Sequence, residues 1–136
     1  MAAVTFTIEL APITKKNHSR IIKVKGRPMV VPAKRYRQYE TAATPFCPYE
    51  LIDYPVNIEA HYYMPTRRRV DITNLESALM DVLVHAGTLL DDNCAIVVST
   101  DGSRVHYDKE NPRTEVIITP SVEVEREFIK SKGDKG

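Results

Sequence analysis

The segment from Thr73 to Gly87 constrains the fold more than any other. Leu75, Ala78, Leu79, Val82, Leu83 and Ala86 recur at i, i+3, i+4, i+7, i+8 and i+11, one apolar stripe at the helical period. Thr73 and Glu76 match an S/T-x-x-E capping box at its start. Gly87 stands where a left-handed residue closes a helix. A helix that is apolar on one side must bury that side against another layer.

Strands supply that layer. Val4, Phe6, Ile8 and Leu10 alternate with Thr5, Thr7 and Glu9, the period of a half-buried strand that Pro12 ends. Val56, Ile58, Ala60, Tyr62 and Met64 predict a second strand over 56–64, closed by Pro65. Ala95 to Ser99 reads as a third and Val116 to Thr119 as a fourth, with an Asp101-Gly102 turn between them. Pro32 precedes AKRYRQYETAAT, a stretch rich in helix formers and free of Gly, which Pro45 stops. Residues 13–31 read as a basic stretch with a turn at Gly26-Arg27-Pro28. The expected fold is α/β of the α+β type: one domain, a four-stranded mixed sheet with two main helices, in β-α-β-α-β-β order. A chain of 136 residues suits one domain, expected over 1–122. Residues 123–136, ending in Lys, Gly and Asp, are expected to fray.

Several function classes drop out. No apolar stretch approaches the roughly 20 residues that cross a bilayer. Met1 to Leu10 has neither the basic start nor the apolar run of a secretory signal, so the expected compartment is the cytoplasm. Cys47 and Cys94 make neither a disulfide framework nor a zinc knuckle. His18, His61, His85 and His106 show no ligand spacing. No cofactor-binding motif is read.

The net charge of +1 conceals an asymmetry. Residues 1–69 carry 12 Lys+Arg against 5 Asp+Glu, a balance of +7, and residues 70–136 carry 7 against 13, a balance of −6. One half is suited to an anion and the other gathers carboxylates; the bland alternative is an ordinary solvated surface. Lys15, Lys16, Arg20, Lys34, Arg35, Arg37, Arg67, Arg68 and Arg69 are the candidates for nucleic-acid backbone contact. Tyr36 and Tyr39 interleave with the second group. Their period favours core packing on a helix face, and stacking on unpaired bases is the alternative.

The chemistry concentrates between Arg67 and Asn93. A basic triplet runs into Asp71, just before the helix, and a short connection after the helix reaches Asp91 and Asp92. Hard cations such as magnesium take oxygen ligands, and adjacent carboxylates gain from a shared cation. Asp71 and Asp92 could share a metal if the loop folds back or if a second subunit supplies its own helix. The competing readings are structural: Asp71 favours a helix dipole, Asp91 and Asp92 suit a solvated turn, and Glu76 is fully accounted for as a cap.

The stretch MPTRRRVDITNLESALMDVLVHAGTLLDDN resembles the core of the RusA family of Holliday junction resolvases. That family's pattern is a basic run, D-x-D-N, a helix of the form xxKAxxDAL, a Gly turn and an acidic pair. Arg67, Arg68 and Arg69 match the basic run, Asp71 and Asn74 the D-x-D-N, Ala78 and Asp81 the helix, Gly87 the turn and Asp91-Asp92 the pair. Weaker similarity covers the first strand with Asn17 and Arg20, the Gly26-Arg27 turn and the last strand. The resemblance implies a homodimer that binds four-way junctions and other branched DNA and makes paired nicks in DNA recombination and repair. It implies Mg2+ (or Mn2+) as cofactor, held by Asp71, Asp91 and Asp92, with Asp71 and Asp92 catalytic. A bacterial or phage-infected host cell is the implied setting. Two positions depart from the pattern. Thr73 stands where the second motif Asp belongs, and Ser77 where a functional Lys belongs. Glu76 is placed to return a negative charge, and Arg69 or a partner subunit's arginine to replace the Lys. An inactive branched-DNA-binding module, a nucleotide phosphohydrolase and a structural or interaction protein are the alternative functions at this stage.

Overall fold

The computed structural model describes residues 2–14, 19–32 and 34–121. The expected tail, 123–136, and the candidates Lys15 and Lys16 lie outside the described residues. Among the described residues, seven strands and two helices follow in the order β1 (Val4–Ile8), β2 (Ser19–Val24), β3 (Arg27–Pro32), α1 (Lys34–Ala43), β4 (Val56–Met64), α2 (Ile72–His85), β5 (Val97–Ser99), β6 (Arg104–Tyr107) and β7 (Arg113–Pro120), with a 3-10 turn at Thr44–Phe46 after α1.

The main sheet is mixed and runs β1-β7-β4, with β5 and β6 sharing the next position. β7 lies antiparallel to both β1 and β4, whereas β5 and β6 lie parallel to β4. β5 pairs at Val56 and Asn57, and β6 at His61 to Met64. The fourth position of the sheet is therefore a broken edge made of two short pieces, β5, where the third expected strand lies, and β6, which the sequence reading did not include. Arg104–Tyr107 carries no clear alternation, which hid β6. The third strand starts at Val97 rather than Ala95 because Asn93 organises a turn: its side-chain oxygen accepts the Ala95 N–H at 2.9 Å, and its carbonyl accepts those of Ile96 and Val97. β7 starts three residues before Val116, since Thr114 is buried while its polar neighbours Arg113 and Glu115 point outward.

The basic stretch 13–31 holds a hairpin that charge alone did not reveal. β2 and β3 pair antiparallel from Ser19↔Pro32 to Val24↔Arg27. Lys25 (φ 53°) and Gly26 (φ 79°) form the two-residue turn, and two successive positive φ values match the twist of hairpin strands.

Both helices cover one face of the sheet. Val56, Ile58, Ala60 and Tyr62 of β4 and Val116 and Ile118 of β7 meet Leu75, Leu79, Val82 and Leu83 of α2 in one core. α1 joins through Tyr36, 2% exposed, whose hydroxyl donates to the Ala78 carbonyl at 3.3 Å. Tyr39 packs on the same core. The burial of Tyr36 and the partial burial of Tyr39 fit core packing on the helix face. α2 ends as its sequence predicts. Gly87 has φ 79°, the Thr88 N–H reaches the Leu83 carbonyl and the Gly87 N–H that of Val84, the paired bonds of a Schellman turn. Its start differs. Asp71 holds the N-cap position and Thr73 lies inside the first turn, so the Thr73–Glu76 capping box does not form. No helix among the described residues is long and apolar enough to cross a membrane.

Candidate active site

β4, α2 and β5 form a parallel crossover unit, and this sets where the acidic residues go. Because β4 and β5 run the same way, α2 must run back between them. The β4–α2 connection, with Asp71, lies at the carboxyl end of β4. The α2–β5 connection, with Asp91 and Asp92, lies at the other end. Asp92 lines a cleft of about 410 Å³ with Asp81, Val84 and His85 of α2 and Tyr36, Arg37 and Glu40 of α1. From Asp71 to Asp81 alone the helix rises about 15 Å. The loop therefore does not fold back, and one chain does not bring Asp71 and Asp92 together.

Asp71 is exposed, with an extended N-cap backbone (φ −86°, ψ 127°), yet its carboxylate makes no capping hydrogen bond. It accepts instead from the Asn74 side-chain amide at 3.3 Å. Thr73 is exposed beside it, and Ser77 is exposed one turn further along α2. Glu76 turns elsewhere. Its charge acts on Tyr62, whose buried hydroxyl has no hydrogen-bond partner among the described residues and is pushed far above its ordinary pKa, first by burial and then by Glu76.

Asp91 is bound into its own turn. Its carboxylate accepts the Asp92 N–H at 2.8 Å and the Asn93 amide at 3.0 Å, and these bonds hold its pKa below the usual carboxylate range. That leaves Asp92 as the more available member of the pair.

The basic candidates divide into groups. Arg35 of α1 meets Arg68 and Arg69 around a cleft of about 620 Å³ whose wall ends at Val70, the residue before Asp71. All three guanidiniums are exposed, and among the described residues no carboxylate pairs with them. Arg37 belongs to the Asp92 cleft, and with Lys34 it borders a shallower hollow on α1. Arg67 stacks on the exposed Tyr107 ring at 4.1 Å. Arg20 lies on β2.

Sequence reasoning missed Asp81 and Glu40 as neighbours of Asp92. Helical spacing offered a signal for Asp81, which lies off the apolar stripe. It also missed a polar array on the sheet face away from the helices. His61 contacts Glu59 at 2.6 Å and His106 at 2.9 Å, His106 stacks on Tyr63, and Arg113 covers the other side of Tyr63 at 3.8 Å. Only the alternation of β4 hinted at that face.

A match to the family model described as Endodeoxyribonuclease RusA covers residues 9–119. The chain belongs to the RusA family. A relative from Aquifex aeolicus (strain VF5), named crossover junction endodeoxyribonuclease RusA, is 30% identical over 108 residues, covering 74% of this chain and 80% of the relative. The RusA match spans Asp71, Asp91, Asp92 and the arginines of the basic cleft. Among the described residues of this RusA-family chain, no three His, Cys, Asp or Glu side chains form a group able to hold a metal. The donor chemistry nevertheless fits magnesium, which takes one or two carboxylates and fills its remaining positions with water and phosphate oxygens.

Proposed function

We propose that this protein is a magnesium-dependent endonuclease that resolves Holliday junctions and related branched DNA by paired nicks, working as a homodimer in DNA recombination and repair. The observation that carries the reading is Asp71. A carboxylate at a helix start is normally taken up by capping, but this one is held by Asn74 and left exposed beside a cleft bordered by three arginines. Arginines arranged around a groove suit phosphate oxygens, and backbone contacts of this kind position DNA without reading its sequence.

Asp71 and Asp92 would hold the ion, with Asp91 orienting the loop that carries Asp92. Bound there, magnesium supplies Lewis acidity and an activated water for attack on phosphorus. The distance between the two carboxylates in one chain favours a site that combines Asp71 of one subunit with Asp92 of the other. The surface beside Asp92 suits such a partner. Tyr49, Leu51 and Leu90 are 74%, 42% and 57% exposed. They lie on two loops joined by the Leu51 N–H to the Gly87 carbonyl and the Leu90 N–H to the Ile52 carbonyl. Two-fold pairing through this patch would give two equivalent sites, as symmetric cutting requires. Arg69, two residues before Asp71, takes the charge-stabilising role that Ser77 cannot fill. A cytoplasmic setting, in a bacterium or a phage-infected cell, fits this activity.

The test is a labelled synthetic four-way junction with magnesium or manganese, beside linear duplex. Paired nicks on the junction and none on duplex are expected. A second reading, junction binding without cleavage, is favoured by Thr73 in place of a carboxylate. Tight binding with no products under either metal would establish it.

A further inference from the structure

The cleft beside Asp71 has a shape and lining that simple backbone binding does not require. Its volume of about 620 Å³ lies in the range of small-molecule sites, about 300–1,000 Å³. Pro12, Ile13, Met64, Pro65 and Val70 line it. Thr14 and Thr66 add two hydroxyls, and because a hydroxyl rotates to donate or to accept, the lining offers contact area without selecting one base edge. The rim is the reverse: Arg35, Arg68 and Arg69 spread three cations along the opening. A groove for duplex backbone alone needs the cations and gains nothing from an apolar hollow. A mostly apolar interior with a cationic rim matches one nucleotide turned out of its stack, base inside and phosphates outside.

We propose that this cleft takes a single unpaired nucleotide at the branch point, setting the adjoining phosphate against Asp71. This deepens the nuclease reading, on which it rests, by giving a basis for choosing branched DNA over duplex. Extracting a base from intact duplex costs a few kcal/mol, and a base that is already unpaired costs least. The cleft therefore rewards a branch point of any sequence and penalises continuous duplex.

The probe is 2-aminopurine, placed at the branch point of a four-way junction, within a duplex, and in a short single strand, each bound without divalent metal. Binding should raise fluorescence at the junction, and the bound base should be shielded from acrylamide. The duplex should show neither effect. Ile13→Trp fills the hollow and keeps all three arginines. It should abolish the shielding and weaken junction binding about 10-fold, within the range set by one stacked base, with duplex binding unchanged. Pro65→Trp is the independent second filling variant, and circular dichroism checks that both fold. Junction cutting by the wild type with no shielding in either branched or single-stranded DNA overturns the cleft and leaves the nuclease reading standing. Shielding in the single strand with no junction cutting under either metal does the opposite. Affinity that falls with Arg68→Gln but not with either filling variant means that the cleft binds phosphate alone, and this too overturns the proposal.

Discussion

Asp71 sits at the N-cap of α2, yet its carboxylate accepts the Asn74 amide rather than a backbone N–H of the first turn. Stability therefore loses little when this charge goes, and function should lose much. Asp71→Asn and Asp92→Asn should each reduce cleavage by more than the about 10–100-fold lost when a residue that only orients a metal ligand is removed, with junction affinity kept. Asn74→Ala should fall within that lower range. Thr73→Asp should lower the magnesium concentration needed for half-maximal cleavage, because it restores a carboxylate in the first turn. Asp91 behaves differently. Its bonds to the Asp92 N–H and the Asn93 amide favour the ionised form. A depressed folded pKa contributes stability above the unfolded value of about 3.9, lost as pH falls through the folded value. Its carboxyl 13C titration should thus have a midpoint below 3.9, and a midpoint at or above that value would contradict the turn geometry. Among these residues, types and spacing were legible in the sequence. The state of the Asp71 carboxylate was not, because capping depends on where the helix begins, and a strong Thr73–Glu76 signal pointed two residues too late.

At the scale of elements, α2 was readable because its stripe, its closing Gly87 and its core contacts all agree. Gly87→Ala should destabilise the protein by about 1–2 kcal/mol, the cost of a left-handed backbone in an L-residue. The added Cβ would also lie 2.5 Å from the Tyr49 ring, but that ring is exposed and can move aside. Urea unfolding measures the loss, and an unchanged midpoint would contradict the Schellman turn. β2 and β3 escaped notice because their charges masked a run of Ile, Val and Met, and because Lys25 is an uncommon residue at a positive φ. β6 was missed for a related reason: as an edge strand it exposes Val105 and Tyr107, so burial imposes no alternation on it.

At the scale of the whole molecule, the parallel crossover explains why two carboxylates only 21 positions apart in the sequence sit at opposite ends of a helix. That separation could not be read from spacing, which counts residues and is silent on direction. It leads to a prediction about assembly. On the proposed two-fold pairing, Leu90→Glu should shift the protein from dimer to monomer in sedimentation and remove paired cutting, while far-UV circular dichroism stays unchanged. A dimer that persists would move the interface away from the Asp92 end. Salt should matter as well. Junction affinity should fall steeply as salt rises, and loss of Arg68 should reduce the slope of log K against log salt by about 1, as expected for one phosphate contact.

The most direct measurement mixes the two inactive variants. Asp71→Asn and Asp92→Asn protein are unfolded and refolded together, then given a labelled four-way junction with magnesium. If each site joins Asp71 of one subunit to Asp92 of the other, the mixed dimer holds one intact site and one doubly substituted site. Each variant alone is then inactive, and the mixture recovers single nicks without paired resolution. A mixture as inactive as its components, beside an active wild type, would contradict the shared site. Unimpaired cleavage by either variant alone would contradict the assignment of these carboxylates altogether.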